Sequence, residues 1–297
     1  MLSDEEVKGT GFTRFAVKDR LGRIVTAYLS NGDTDTELPI ILYCQGSGVH
    51  PLFWKKQDNI FCQYQKILMN QVNCRARVVC VEKLGIEFGK QLPSDGTAST
   101  ATASFLLEHT AERWSEALYS VLQHVRNCFP SSNKVMVAGH SEGALMASLL
   151  ASIPTAGISH IGLLAGSGPT QLFDFLLGYS LDTEEVIATF LYIQNQDTDP
   201  DTLIWGHPVR RWRSFLSIST LEEVLKSDAL VFCAHGTEDR KVPFASALVL
   251  VAELMRNKRS VTFLPIKGGD HSFCTTSTNK ESSMQAVFQK LTDWFLE

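Results

Sequence analysis

The sequence predicts an α/β fold: a mostly parallel central sheet with helices on both faces, interrupted once by a mainly helical insertion. Three observations carry this. Short continuous apolar runs recur at 38–44, 76–81, 134–138, 161–168, 229–234 and 261–266, the pattern of strands buried on both faces in a parallel sheet. Segments of 3.6-residue apolar periodicity alternate with them, and alternating β and α units build a sheet covered on both sides. That rhythm stops at Pro169 and resumes at Ala229.

The chain has 297 residues, of which 44% are hydrophobic. That length suits one large domain or one domain with an insertion. Residues 1–168 and 229–297 are read as the core domain, and 169–228 as a helical cap inserted into it. A formal net charge of −5 gives no global argument for nucleic acid or for an anionic membrane. No window of about 18 uncharged apolar residues exists, so no membrane span is expected. The acidic, polar start at Met1–Glu6 does not resemble a signal peptide. Seven dispersed cysteines, at 44, 62, 74, 80, 128, 233 and 274, read as reduced small hydrophobes of a cytoplasmic protein. Neither C-x-x-C nor H-x-x-x-H spacing occurs, so no metal and no cofactor is expected, and His124 and His160 read as packed or surface histidines.

In order along the chain, 12–30 alternates around Lys18–Gly22 and predicts a β-hairpin, followed by a turn at Asn31-Gly32-Asp33. Strand 38–44 discharges into Gln45-Gly46-Ser47-Gly48. Ile60, Phe61, Tyr64, Ile67 and Leu68 predict a helix over 53–69. Strand 76–81 leads into a Gly-rich loop at 82–99. Trp114, Ala117, Leu118, Val121, Leu122 and Val125 predict a helix over 111–127, with Thr110 as its N-cap. Strand 134–138 follows. Beyond the insertion come strand 229–234, helix 244–257, strand 261–266 and a last helix over 282–296.

The chain is organised around Gly139-His140-Ser141-Glu142-Gly143. This is G-x-S-x-G between a predicted strand and an Ala-rich predicted helix, the context of a nucleophile elbow. A serine there sits at the tip of a sharp turn, with glycines on either side leaving room for a tight strand–helix crossing. After strand 229–234 comes His235-Gly236-Thr237-Glu238-Asp239-Arg240-Lys241-Val242-Pro243. After strand 261–266 comes Gly268-Gly269-Asp270-His271. Reactive residues thus stand at the carboxyl ends of three strands, where α/β sheets place their sites.

With Ser, acid and His in that order, the sequence resembles the α/β-hydrolase superfamily over nearly its whole length, and its elbow resembles those of the dienelactone-hydrolase-like and peptidase-like branches. The resemblance implies the α/β-hydrolase fold and a catalytic triad. Ser141 would be the nucleophile, His271 the general base and acid, and Asp239 the group that orients His271. Glu238 is the rival acid. Asp270 is read as a turn residue, and His235 as a group that packs or bonds near the acid's loop. The oxyanion hole would use the backbone N–H of Glu142 and one from the loop at Gly46 or Ser47, with Ser47 preferred. This loop departs from the H-G-G-G pattern of many esterases.

The insertion carries Phe173, Phe175, Tyr179, Phe190, Tyr192, Trp205 and Trp212, read mostly as the cap's own core. Arg210-Arg211-Trp212-Arg213 is a basic cluster in an acidic chain. Arg210, with Arg213, is a candidate anchor for a substrate carboxylate or phosphate, and Trp212 and Gly46 are candidate substrate-binding residues. The expected function is a serine hydrolase cleaving a carboxylic ester, or else a thioester or amide, through an acyl-enzyme. The partner is a small acyl substrate, not nucleic acid. An acyltransferase using the same triad and a non-catalytic binding protein on the same fold are the alternatives.

Overall fold

The computed structural model describes residues 5–30, 35–57, 59–62, 64–90, 101–178 and 182–297. The expected turn at 31–33, part of the loop at 82–99 and Tyr179 lie outside them.

Strand β1 (Glu5–Val7) pairs antiparallel with β2 (Phe12–Lys18), which forms the expected hairpin with β3 (Ile24–Ser30). Next comes β4 (Leu38–Cys44). The helix expected over 53–69 is not what forms. Residues Phe53–Lys56 and Asn59–Cys62 are two short strands, β5 and β6, paired as a hairpin, and only Tyr64–Val72 is helical (α1). Trp54 and Phe61 stack across that hairpin with ring centroids 6.1 Å apart. Gln57 turns the chain at φ 55°. Strand and helix periods agree over a few residues, and cross-strand aromatic pairing decides between them here.

Strand β7 (Arg77–Val81) is followed by a short helix that the sequence reading lacks, α2 (Ala103–Glu108), capped by the Thr102 hydroxyl. Helix α3 (Ala111–Cys128) is capped by Thr110, as expected. Strand β8 (Ser131–His140), α4 (Glu142–Ala151) and β9 (His160–Leu164) complete the first half. Within 169–228 lie α5 (Gln171–Leu177), α6 (Thr183–Gln194), the two-residue strands β10 (Leu203–Ile204) and β11 (His207–Pro208), α7 (Val209–Leu216) and α8 (Thr220–Leu225). The chain ends with β12 (Leu230–Gly236), α9 (Phe244–Arg256), β13 (Val261–Ile266) and α10 (Lys280–Leu296).

Among the described residues the central sheet runs β1-β2-β3-β7-β4-β8-β9-β12-β13. From β7 to β13 every neighbouring pair is parallel. Side chains alternate across a strand, so each apolar run divides between two cores. Ile40, Leu42, Val135 and Val137 face α3 and α4. Ile41, Tyr43, Met136 and Ala138 face α1 and α10.

The insertion has an apolar cluster of its own, in which Phe175, Phe190 and Trp205 pack on buried Ile193, Val209, Trp212 and Leu216. By contrast, Val224 of α8 belongs to the core beneath the sheet, and Phe215 of α7 reaches it too. Helix α7 is tied down by Ser214 Oγ, which accepts from the Ala111 N–H at 3.1 Å.

Candidate active site

The turn from β8 into α4 forces Ser141 to φ 59°, ψ −125°, a region that non-glycine residues occupy only when their surroundings compel it. Those surroundings are explicit. The Ser141 N–H donates to the Leu164 carbonyl at 2.8 Å. A Cβ on Gly139 would stand 2.0 Å from the Gly143 carbonyl oxygen, and one on Gly143 would stand 2.1 Å from that of Cys44. Helix and strand cross so closely that only glycine fits at either place.

Ser141 lines a cavity of about 590 Å³ together with Gly46, Ser47, Glu142, Trp212 and His271. The His271 imidazole is positioned from two sides. Its Nδ1 lies 2.8 Å from Asp239 Oδ2. Its backbone carbonyl accepts from His140 Nε2 at 2.8 Å. Burial foremost, then the neighbouring His271, lowers the His140 pKa to about 3, so that ring is neutral and donates from Nε2.

Asp239 is 3% exposed. Its Oδ1 accepts from the backbone N–H groups of Lys241 (2.8 Å) and Val242 (3.0 Å). Burial pushes the carboxyl's pKa up, but hydrogen bonds from His235 and His271 and the Val242 N–H outweigh it, and Asp239 is held well below the usual carboxylate range. Glu238, the rival acid, is exposed. Asp270 accepts from the N–H groups of Ser272 and Cys274 at 2.8 and 2.9 Å, the turn role expected of it. His235 donates to the Val242 carbonyl at 2.9 Å and lies 3.4 Å from Asp239 Oδ2.

The loop Gly46–Gly48 stands against the elbow: a Cβ on Gly46 would lie 3.3 Å from that of Ser141. Buried Lys83 holds this loop, its Nζ donating to the carbonyls of Gly46 (2.6 Å) and Gly48 (3.1 Å). A trans peptide points its C=O and N–H in opposite directions. With the Gly46 carbonyl on Lys83, the Ser47 N–H is turned the other way.

Beneath the cavity lies a charged cluster that the sequence reading missed. Glu142, 4% exposed, bonds through Oε1 to His109 Nε2 at 3.1 Å and through Oε2 to Arg211 Nη2, with Lys83 Nζ 3.8 Å from Oε1. Although burial opposes ionisation, Arg211, His109 and Lys83 hold the Glu142 carboxyl well below its usual range. Burial, the largest cause, lowers Lys83 to about 8 and His109 to about 4. Neither Lys83 nor His109 falls in a motif, so no spacing in the sequence marks them.

The two candidate anchors, Arg210 and Arg213, stand away from the cavity lining. Arg210 is not at the cavity: it pairs with Asp201 on the surface side of α7. Arg213 donates to the carbonyls of Ile193 (2.7 Å) and Thr198 (3.0 Å), inside the insertion. Successive helical residues point about 100° apart, and the one turned to the cavity is Arg211. Trp212 does line the cavity, with its Nε1 donating to the Ile204 carbonyl at 2.6 Å. Among the described residues no group of three His, Cys, Asp or Glu side chains stands close enough to hold a metal ion. Among the described residues, too, no helix is long and apolar enough to cross a membrane.

The sequence pattern of the prolyl oligopeptidase family of peptidases (S9) matches residues 117–297, which include Ser141, Asp239 and His271. The chain belongs to the prolyl oligopeptidase family. Its fold is that of the α/β-hydrolases, the serine-hydrolase superfamily that contains this family. The esterase Est1E from Butyrivibrio proteoclasticus superposes with a TM-score of 0.60 at 16% identity, over 96% of this chain and 99% of that one. The acylaminoacyl peptidase of Pyrococcus horikoshii superposes with a TM-score of 0.66 at 15% identity, over 97% of this chain and 42% of that one. The chain therefore spans about two fifths of that peptidase. No curated protein matches it in sequence. At such identities, likeness to solved structures establishes the fold, while the prolyl oligopeptidase match establishes the family.

Proposed function

We propose that this member of the prolyl oligopeptidase family cleaves carboxylic esters through an acyl-enzyme on Ser141. The observation that carries the reading is the hydrogen bond between buried Asp239 and His271 at 2.8 Å, on the wall of the cavity that holds the strained Ser141.

In this reading His271 takes the proton of Ser141 as its oxygen attacks the acyl carbon. Asp239 fixes the tautomer with the proton on Nδ1, leaving Nε2 to accept, and stabilises the imidazolium that forms. The oxyanion faces the N–H of Glu142, at the N-terminus of α4, and the N–H of Ser47, whose peptide is oriented by Lys83. The imidazolium then protonates the leaving alcohol, and water repeats the sequence in reverse to release the acid. Residues 169–228 act as a cap. Its α5–α7 portion contributes Phe175, Trp205 and Trp212 to the cavity wall, which limits water around the reacting groups.

Ester cleavage asks least of leaving-group protonation, which is why it leads. The family match favours a second reading, hydrolysis of a peptide or acylated amino acid, by the same steps with an amine leaving. The test is fluorophosphonate labelling of the wild type beside Ser141→Ala, followed by 4-nitrophenyl esters, a hydroxycinnamate ester and peptide anilides. Ferulic acid is the molecule bound in one Est1E structure, and the aromatic wall here is the reason to include its class. Labelling lost in Ser141→Ala, with ester turnover above anilide turnover, supports the reading. Absence of labelling in folded protein refutes it.

A further inference from the structure

Arg211 is 2% exposed and lines the cavity. One of its three guanidinium nitrogens, Nη2, is taken by Glu142. Nε and Nη1 are buried and find no acceptor among the described residues. A buried donor left without a partner is costly, and more so when it is charged.

The charge count points the same way. Lys83 and Arg211 are two cations around one carboxylate, that of Glu142. His109 and His207 stay neutral at pH 7, since burial lowers them to about 4 and about 3. Glu82, next to Lys83, is raised to about 8 by burial and stays protonated. Around Glu142 one positive charge is left over, and the free N–H groups belong to Arg211. The guanidinium is held in place by Glu142 on one side and by the rings of Trp212 and Phe215, whose centroids lie 3.9 and 4.6 Å from Cζ. A guanidinium fixed in this way offers Nε and Nη1 from different edges for charge-assisted bonds to an anion such as a carboxylate, and it is oriented before the ligand arrives.

We infer that Arg211 receives a carboxylate carried by the substrate, so that the preferred substrates are anionic esters or amides. The inference rests on the proposed reading of Ser141 as nucleophile. Because Glu142 is the residue after Ser141, the same salt bridge ties the anion site to the elbow.

The experiment compares charged and neutral partners of one shape. On the acyl side these are the mono-4-nitrophenyl ester of adipic acid and its methyl-capped diester. On the leaving-group side they are 4-acetoxybenzoate and its methyl ester. We expect kcat/KM in the wild type to favour the anion in one pair by about tenfold or more, as befits a charge-assisted bond. Arg211→Gln brings that ratio to near one, and Arg211→Lys restores part of it. A wild-type ratio at or below one in both pairs overturns the inference, as does a ratio unchanged in folded Arg211→Gln. Should Arg211→Gln not fold, the wild-type ratio and Arg211→Lys decide. Should no substrate turn over and no probe label Ser141, the catalytic reading has failed and calorimetry judges the anion site by itself. Ser141→Ala protein then binds monomethyl adipate at least about tenfold more tightly than dimethyl adipate if the site is real, and equal or absent binding of the two overturns it.

Discussion

The carboxylate of Glu142, immediately after Ser141, is bonded to the guanidinium of Arg211, 69 residues further along on α7. The tip of the elbow and the wall of the inserted segment are thereby one electrostatic unit. His109 and Lys83 complete it from α2's C-terminal end and the loop after β7.

Among the described residues Glu142 is the only carboxylate bonded to Arg211, and its removal leaves cations buried without a counter-charge. Glu142→Gln is expected to destabilise the fold by about 3–5 kcal/mol, the usual cost of breaking a buried pair from one side. Urea unfolding at pH 7 checks it. A loss under ~1 kcal/mol would mean that water already screens the cluster.

Asp239→Asn is expected to reduce kcat/KM by roughly 10³–10⁴, because an amide cannot hold the productive tautomer of His271. Glu238→Gln, at an exposed position, is expected to change it less than about twofold. Steady-state kinetics of both variants on one 4-nitrophenyl ester tests the assignment. Reversed effects would move the acid's role to Glu238.

Gly143→Ala drives a methyl to 2.1 Å from the Cys44 carbonyl oxygen, where neither helix nor strand can yield. We expect a loss of about 3 kcal/mol or more, or failure to fold. Gly206→Ala is the contrasting variant. It meets nothing within 4 Å but sits at φ +76°, so its cost is about 1 kcal/mol of backbone strain. Thermal denaturation of the two separates packing from strain.

His140 is buried neutral, its pKa lowered to about 3. The unfolded state binds its proton near pH 6.5 and the native state does not. Stability due to this group is therefore complete above pH 6.5 and falls as pH drops towards 3. Glu82 and Asp174, raised by burial to about 8 and about 6, act in the opposite sense, since the native state keeps their protons longer. The clean observable is a difference. Below pH 6, His140→Asn is expected to flatten the slope of unfolding free energy against pH by about 1.4 kcal/mol per unit. An identical slope in wild type and variant would show that His140 is charged in the native state.

The sequence by itself determined the alternation of buried strands and amphipathic helices, the elbow at Ser141, and the placing of Asp239 and His271 after successive strands. Each is written locally. Apolar periodicity, a glycine-bounded turn and a strand end are legible within about ten residues. Its error over 53–69 arose where the record is local but ambiguous, because the apolar positions of a short hairpin fall on helical spacing too. Only the tertiary structure decided which arginine of Arg210-Arg211-Trp212-Arg213 faces the cavity, and that Lys83 and His109 converge on Glu142. These contacts join residues far apart in sequence, and a buried charge becomes favourable only when its partners are brought to it. No single position can encode that, so the charged floor of the cavity, unlike the elbow above it, exists only in the folded chain.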